Sequence, residues 1–262
     1  MNDTQPAGEA NPPDQDRQDR SNPAIDLITV CINRKIYVSG NGQTTIAVQD
    51  CRFSLVPNAF TVLIGPSGCG KTTILRILTG LDDDYDGFVE WPESPRIGYM
   101  FQEPRLLPWR SVRENITLTA DPGFTENDLG ELLNELGLAS DIALFPGELS
   151  VGMARRVALA RAFACKPNVL VLDEPFVSLD EAAAERLRNL LIRVWSGCPT
   201  TAIMVTHNLR EALQLADELI IMKPGPTSVC QRIRIAERRQ DRDDAMIETM
   251  RNDLRNRFSD LG

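Results

Sequence analysis

The chain has a single histidine, His207, among 262 residues. That excludes a multi-histidine metal centre and any catalytic array that needs a second imidazole. It also lacks any run approaching the roughly 20 apolar residues that carry a helix across a bilayer, so a membrane role must come through a partner. The six cysteines, Cys31, Cys51, Cys69, Cys165, Cys198 and Cys230, form no CxxC pair. Neither a zinc site nor a disulfide framework is indicated, and reduced thiols are expected. Basic residues are outnumbered: 28 Lys and Arg against 37 Asp and Glu leave a formal charge of −9, which argues against a nucleic-acid binder. The basic cluster from Arg232 to Arg239 alternates with acid and reads as a solvated helix face.

The first 23 residues are rich in Asp, Asn, Gln and Pro and have neither the positive start nor the apolar stretch of a secretory signal. They are expected to form a flexible, cytosolic extension. From Ile25 to Phe60, short alternating segments on either side of the turn Ser39 to Gly42 predict antiparallel strands. Beyond them, apolar runs such as Thr61 to Ile64, Val169 to Leu172 and Thr201 to Thr206 alternate with helical patterns. That order predicts an α/β core around a mainly parallel sheet. Between about Glu103 and Cys165 the patterns are helical. Ser111 and Glu114 have capping-box spacing, Leu129, Leu132, Leu133 and Leu136 share a face, and Val151 to Ala164 continues the series. At the end of the chain Ile247, Met250, Leu254 and Phe258 recur at helical spacing.

Two segments carry the chemistry. Gly65, Pro66, Ser67, Gly68, Cys69, Gly70, Lys71, Thr72 and Thr73 follow an apolar strand and open a helix. The glycines let backbone N–H groups turn towards phosphates, Lys71 neutralises β/γ charge, and Thr72 ligates magnesium. That loop alone fits a kinase, a GTPase or a helicase. At the end of the Val169 to Leu172 run stand Asp173, suited to holding magnesium through water, and Glu174, suited to polarising an attacking water. The Cys69 position predicts alkylation that ATP blocks.

Leu149-Ser150-Val151-Gly152-Met153 narrows the choice. It begins a helix, whose dipole, the Ser150 hydroxyl and the Gly152 N–H suit an anion. With the phosphate loop and LVLDEP, it resembles the ATP-binding subunit of an ABC transporter over roughly Asp26 to Met222. The family signature is LSGGQ or LSGGM, and this chain departs from it by carrying Val151 at the first glycine. The resemblance implies a P-loop ABC ATPase domain with a mainly parallel core sheet, an antiparallel β subdomain and a helical subdomain. It divides the chain into an extension at 1–23, an ATPase domain at 24–228 with a helical insert at about 103–165, and a charged, helical tail at 229–262.

The same resemblance assigns roles. Gln102 matches the loop that senses magnesium and water and couples to the membrane subunit. Ser178 to Asp180 matches the loop that crosses the dimer interface, His207 the switch histidine on the γ-phosphate, and Tyr37 the adenine-stacking aromatic. Ser150 and Gly152 would contact the γ-phosphate held by the opposing copy of a homodimer. Expected ligands are ATP and magnesium. FQEPRLLPW followed by SVRENITL resembles the nitrate, sulfonate and taurine importers, which implies a separate transmembrane permease, an indirect periplasmic or extracellular solute-binding protein, and a peripheral place on the cytoplasmic face of the membrane. A soluble ABC-type ATPase or a regulatory nucleotide-binding subunit without a permease stands as the alternative.

Overall fold

The computed structural model describes residues 27–258 except Glu93, Pro199 and Pro224. The expected extension at 1–23 lies outside the described residues. Strands β1 (Ile28–Val38) and β2 (Thr44–Leu55) pair antiparallel around a tight turn in which Gly42 has φ 79°. β4 (Asp86–Glu90) pairs with the other edge of β1, giving a sheet ordered β2-β1-β4. Gly87 permits that pairing: at its φ of 141°, a Cβ would stand 2.1 Å from the Cys31 carbonyl oxygen.

The larger sheet has the order β5-β6-β7-β3-β8-β9. Its members are β3 (Phe60–Ile64), β5 (Ile97–Met100), β6 (Val169–Asp173), β7 (Thr201–Thr206), β8 (Glu218–Lys223) and β9 (Ser228–Arg234). All pairings are parallel except β8 with β9. Every residue of β3, β6 and β7 is buried, because both faces are covered, and this is why their sequences run apolar without alternation. Leu63, Val171, Ile203, Val205 and Ile220 face the antiparallel sheet and α1 (Lys71–Leu78). Val62, Ile64, Leu172 and Met204 face the remaining helices.

Residues 103–165, all of them described, contain α2 (Val112–Thr117), α3 (Glu126–Glu135) and α4 (Val151–Ala164), and no strand. Ser111 and Glu114 form the capping box that the sequence spacing predicts. α4 also closes the core sheet: a Cβ on Gly98 of β5 would lie 2.2 Å from the Ala162 carbonyl oxygen. After α5 (Glu181–Gly197), β7, α6 (Leu209–Leu215) and β8, the chain departs from expectation.

The basic run from Arg232 is not a helix face. Its first three residues end β9, where Ile233 pairs with Leu219 and Arg232 with Ile220 of β8. Alternating apolar residues at 229, 233 and 235 suit a strand, and Arg232 is neutralised by Glu218 at 2.8 Å. A 3-10 turn at Arg239–Asp241 then leads to α7 (Asp244–Arg257). The Arg239 guanidinium lies 4.5 Å from the Trp195 ring and 5.5 Å from that of Phe60 while pairing with Asp217. Ile247 and Leu254 bury the inner face of α7, and Arg210 of α6 pairs with Asp244 and Glu248 on that helix. The C-terminal segment is thus stitched to the core by packing and charge together.

Candidate functional site

The parallel register sets the site. Ile64 pairs with Thr206 and Asp173 with Val205, so the loops after β3, β6 and β7 leave one edge of the sheet at one level. Ligands of open α/β sheets bind at such carboxyl ends. The loop from Gly65 wraps the head of α1, and Gly70 adopts φ 100° against the hairpin that joins β8 to β9. A Cβ there would lie 2.7 Å from the Thr227 hydroxyl. Lys71 is buried and donates to the carbonyls of Gly65 at 2.8 Å and Pro66 at 2.9 Å. Cys69 is only 4% exposed, its thiol lying beneath the loop.

Thr72 donates from its hydroxyl to Asp173 Oδ1 at 2.9 Å. Burial pushes the Asp173 carboxyl above the usual carboxylate range and the charge of Glu174 adds to this, against the Thr72 hydrogen bond and the Lys71 charge. The next residue, Glu174, has φ 44°, a left-handed conformation that a non-glycine residue adopts at a cost of about 1–3 kcal/mol. Its N–H is tied to the Val205 carbonyl at 3.0 Å. That kink separates the two acids: Asp173 meets Thr72, while Glu174 Oε2 lies 3.0 Å from His207 Nδ1.

Gln102 lines a cavity of about 330 Å³ with Thr72, Tyr99 and Asp173. Thr72, Asp173 and Gln102 offer a hydroxyl, a carboxylate and an amide oxygen, a donor set that suits a hard divalent cation such as magnesium. Tyr37 reaches the head of α1, its hydroxyl 3.4 Å from Thr73 Oγ1 and 3.1 Å from Asp82 Oδ2. The Lys35 ammonium lies 4.8 Å from the Tyr37 ring centroid and is itself bound to Asp82 at 2.7 Å.

Ser150 and Gly152 are elsewhere. They line a second cavity, of about 480 Å³, with Arg156, Ser178 and Asp180, and this cavity shares no lining residue with the first. Ser150 caps α4 by accepting from the Met153 N–H at 3.2 Å, and Asp180 caps α5 by accepting from the Ala183 N–H at 2.8 Å. Val151 occupies the first helical position with its side chain turned outward, 58% exposed, so it leaves the helix start intact.

Sequence reasoning missed three contributors. Tyr99 is one: burial, then the charge of Asp173, push its phenol up. Lys35 is another, and nothing in the sequence marks its pairing with Asp82. Glu211 is the third, although its spacing from Asn208 is that of a capping box and was there to be read.

A lysine cradled by a phosphate loop beside a divided acid pair, one member of which faces an imidazole, defines a P-loop nucleotide hydrolase. Comparison with known proteins places it more finely. A model of the ABC transporter family matches residues 48–177. The aliphatic sulfonates import ATP-binding protein SsuB 2 of Burkholderia lata is 40% identical over 246 residues, spanning 91% of this chain and 88% of that protein. SsuB of Bacillus subtilis is 40% identical over 210 residues, 77% of this chain and 82% of that one. Among solved structures, the dimeric bacterial ABC transporter cassette MJ0796 superposes with a TM-score of 0.68 at 25% identity, covering 80% of this chain and all of that one. The chain belongs to the ABC transporter family of ATP-binding subunits.

Proposed function

We propose that this chain hydrolyses ATP to energise import of small organic sulfonates through a separate membrane permease. The observation that carries the hydrolytic part is the Glu174 to His207 contact at 3.0 Å beside the Thr72 to Asp173 contact at 2.9 Å. The relatives named for aliphatic sulfonate import support the solute class, within the nitrate, sulfonate and taurine branch.

Lys71 and the backbone N–H groups of Gly65 and residues 67–73 bind the triphosphate, and Tyr37 stacks on adenine. Glu174 takes a proton from the attacking water, and His207, whose Nδ1 meets Glu174, holds its other ring nitrogen towards the γ-phosphate and that water. Thr72, Asp173 and Gln102 hold magnesium, which offsets negative charge on the phosphates. The similarity to a dimeric ABC transporter cassette supports a site split between two copies, with Ser150, Gly152 and Asp180 of one chain facing the phosphate loop of the other. ATP then favours the closed dimer, and loss of the γ-phosphate removes that differential affinity.

In this reading the insert at about 103–165 meets the permease. Trp109 there is 69% exposed, and an exposed tryptophan suits a binding hot spot. The chain works at the cytoplasmic face, and a solute-binding protein delivers cargo on the far side. No described helix is long and apolar enough to cross a membrane. Purifying the chain from solubilised native membranes with magnesium and ATP tests the whole reading. Recovery of a multi-spanning permease, with phosphate release stimulated by an alkyl sulfonate in the reconstituted system, is the expected result. Recovery of soluble proteins alone would overturn it.

A further inference from the structure

His207 stands in the turn between β7 and α6, and both of its neighbours are tied to one carboxylate. Thr206 donates from its hydroxyl to Glu211 Oε2 at 2.8 Å, and Asn208 donates from its amide to Glu211 Oε1 at 3.3 Å. The Asn208 N–H donates to Thr206 Oγ1 at 3.0 Å, and Asn208 Oδ1 accepts from the N–H groups of Arg210 and Glu211. The ring itself meets only Glu174 among the hydrogen bonds of the described residues.

Glu211 is 9% exposed. Burial pushes its carboxyl up, against the Thr206 hydrogen bond and the charges of Arg188 and His207. A buried acid is a destabilising choice where an apolar side chain would fill the same space. Nearby Arg188, also buried, donates to Glu181 at 2.7 Å, and Glu181 opens the helix after the Ser178 to Asp180 loop.

We propose that Glu211 is the positioning residue of the switch histidine. It clamps Thr206 and Asn208 on either side, so that the imidazole is presented to Glu174. The proposal rests on the reading of Glu174 and His207 as the hydrolytic pair. A carboxylate that merely capped α6 would add stability without governing where the ring lies.

The single histidine makes the difference measurable. In the full chain, purified without a histidine tag, every imidazole nitrogen and ring-proton NMR signal belongs to His207. Glu174→Gln should shift those signals in the parent chain and leave them nearly unmoved in a Glu211→Ala background. Phosphate release should fall about tenfold or more in Glu211→Ala, since small misplacements of catalytic groups are costly, while affinity for a fluorescent ATP analogue stays within about twofold. Glu211→Gln, which keeps an acceptor for the Thr206 hydroxyl, should recover part of the turnover.

If Glu211→Ala does not fold, Thr206→Val breaks the same clamp with little change in volume and should show the same blunted response. A full Glu174→Gln response in the broken clamp, or unchanged turnover, overturns the positioning role. His207→Ala separates the two kinds of failure. Full hydrolysis by that variant would remove the hydrolytic pair, whereas its loss alongside an unaffected Glu211→Ala would remove the clamp alone.

Discussion

The Thr72 hydroxyl donates to Asp173 at 2.9 Å across 101 positions of sequence. One contact joins the end of the phosphate loop to the end of β6. Thr72→Val keeps the shape of the helix start but removes the donor and one proposed magnesium ligand. Hydrolysis at limiting magnesium should fall about 10- to 100-fold, with part of the loss recovered at high magnesium. Phosphate release across a magnesium titration measures this, and an unchanged titration would take Thr72 out of the metal site.

Glu174→Gln preserves the size of the side chain and a hydrogen-bonding group for His207, but it cannot accept a proton from water. Turnover should drop by about 10²- to 10⁴-fold while nucleotide still binds. Equilibrium binding of a fluorescent ATP analogue beside single-turnover hydrolysis separates the two. Substantial remaining turnover would exclude Glu174 as the base.

Asp82 predicts an acid-side loss of stability. Burial pushes its carboxyl up, but hydrogen bonds from Lys35 and Tyr37 and the Lys35 charge prevail and hold it below the usual range. A depressed folded value means that the contribution is complete above the ordinary carboxylate pKa of about 3.9 and is lost as pH falls through the folded value. Asp82→Asn should therefore cost about 1–3 kcal/mol at neutral pH, the scale of hydrogen bonds to charged groups. Denaturant melts of the two chains should converge below about pH 3.9. A gap of the same size at both ends of the range would refute the linkage.

Gly98 is required by packing. Ala at this position would drive its Cβ to 2.2 Å from the Ala162 carbonyl oxygen, forcing β5 away from α4. Overpacking of this kind costs about 1–3 kcal/mol, and a backbone neighbour has little room to yield. Thermal unfolding should show a clear drop in Tm, and an unchanged Tm would mean that the two elements slide apart freely.

Most of the fold was legible because each element announces itself locally. Ser111 caps the helix that its spacing predicts, and the apolar runs of β3, β6 and β7 lie where both sheet faces are covered. β9 was not, since its strand character depends on a partner edge, β8, that periodicity does not reveal. In the site, Lys71, Thr72, Asp173 and Glu174 stand out by motif. The separate roles of the two acids are expected from the motif as well, whereas the left-handed backbone angle at Glu174 that turns the two side chains apart is not encoded by residue types. The Lys35 to Asp82 pair and the Arg239 stack are likewise products of tertiary approach between distant segments.

The lodging of Arg239 against Phe60 and Trp195 also bears on the order in which the protein is made. Phe60 begins the strand that leads into the phosphate loop, yet its guanidinium cover is translated after Asp173, Glu174 and His207. A nascent chain can therefore display every nucleotide-binding motif while the underside of that strand is still open. That face of the strand is completed only once the segment carrying Arg239 has packed against it.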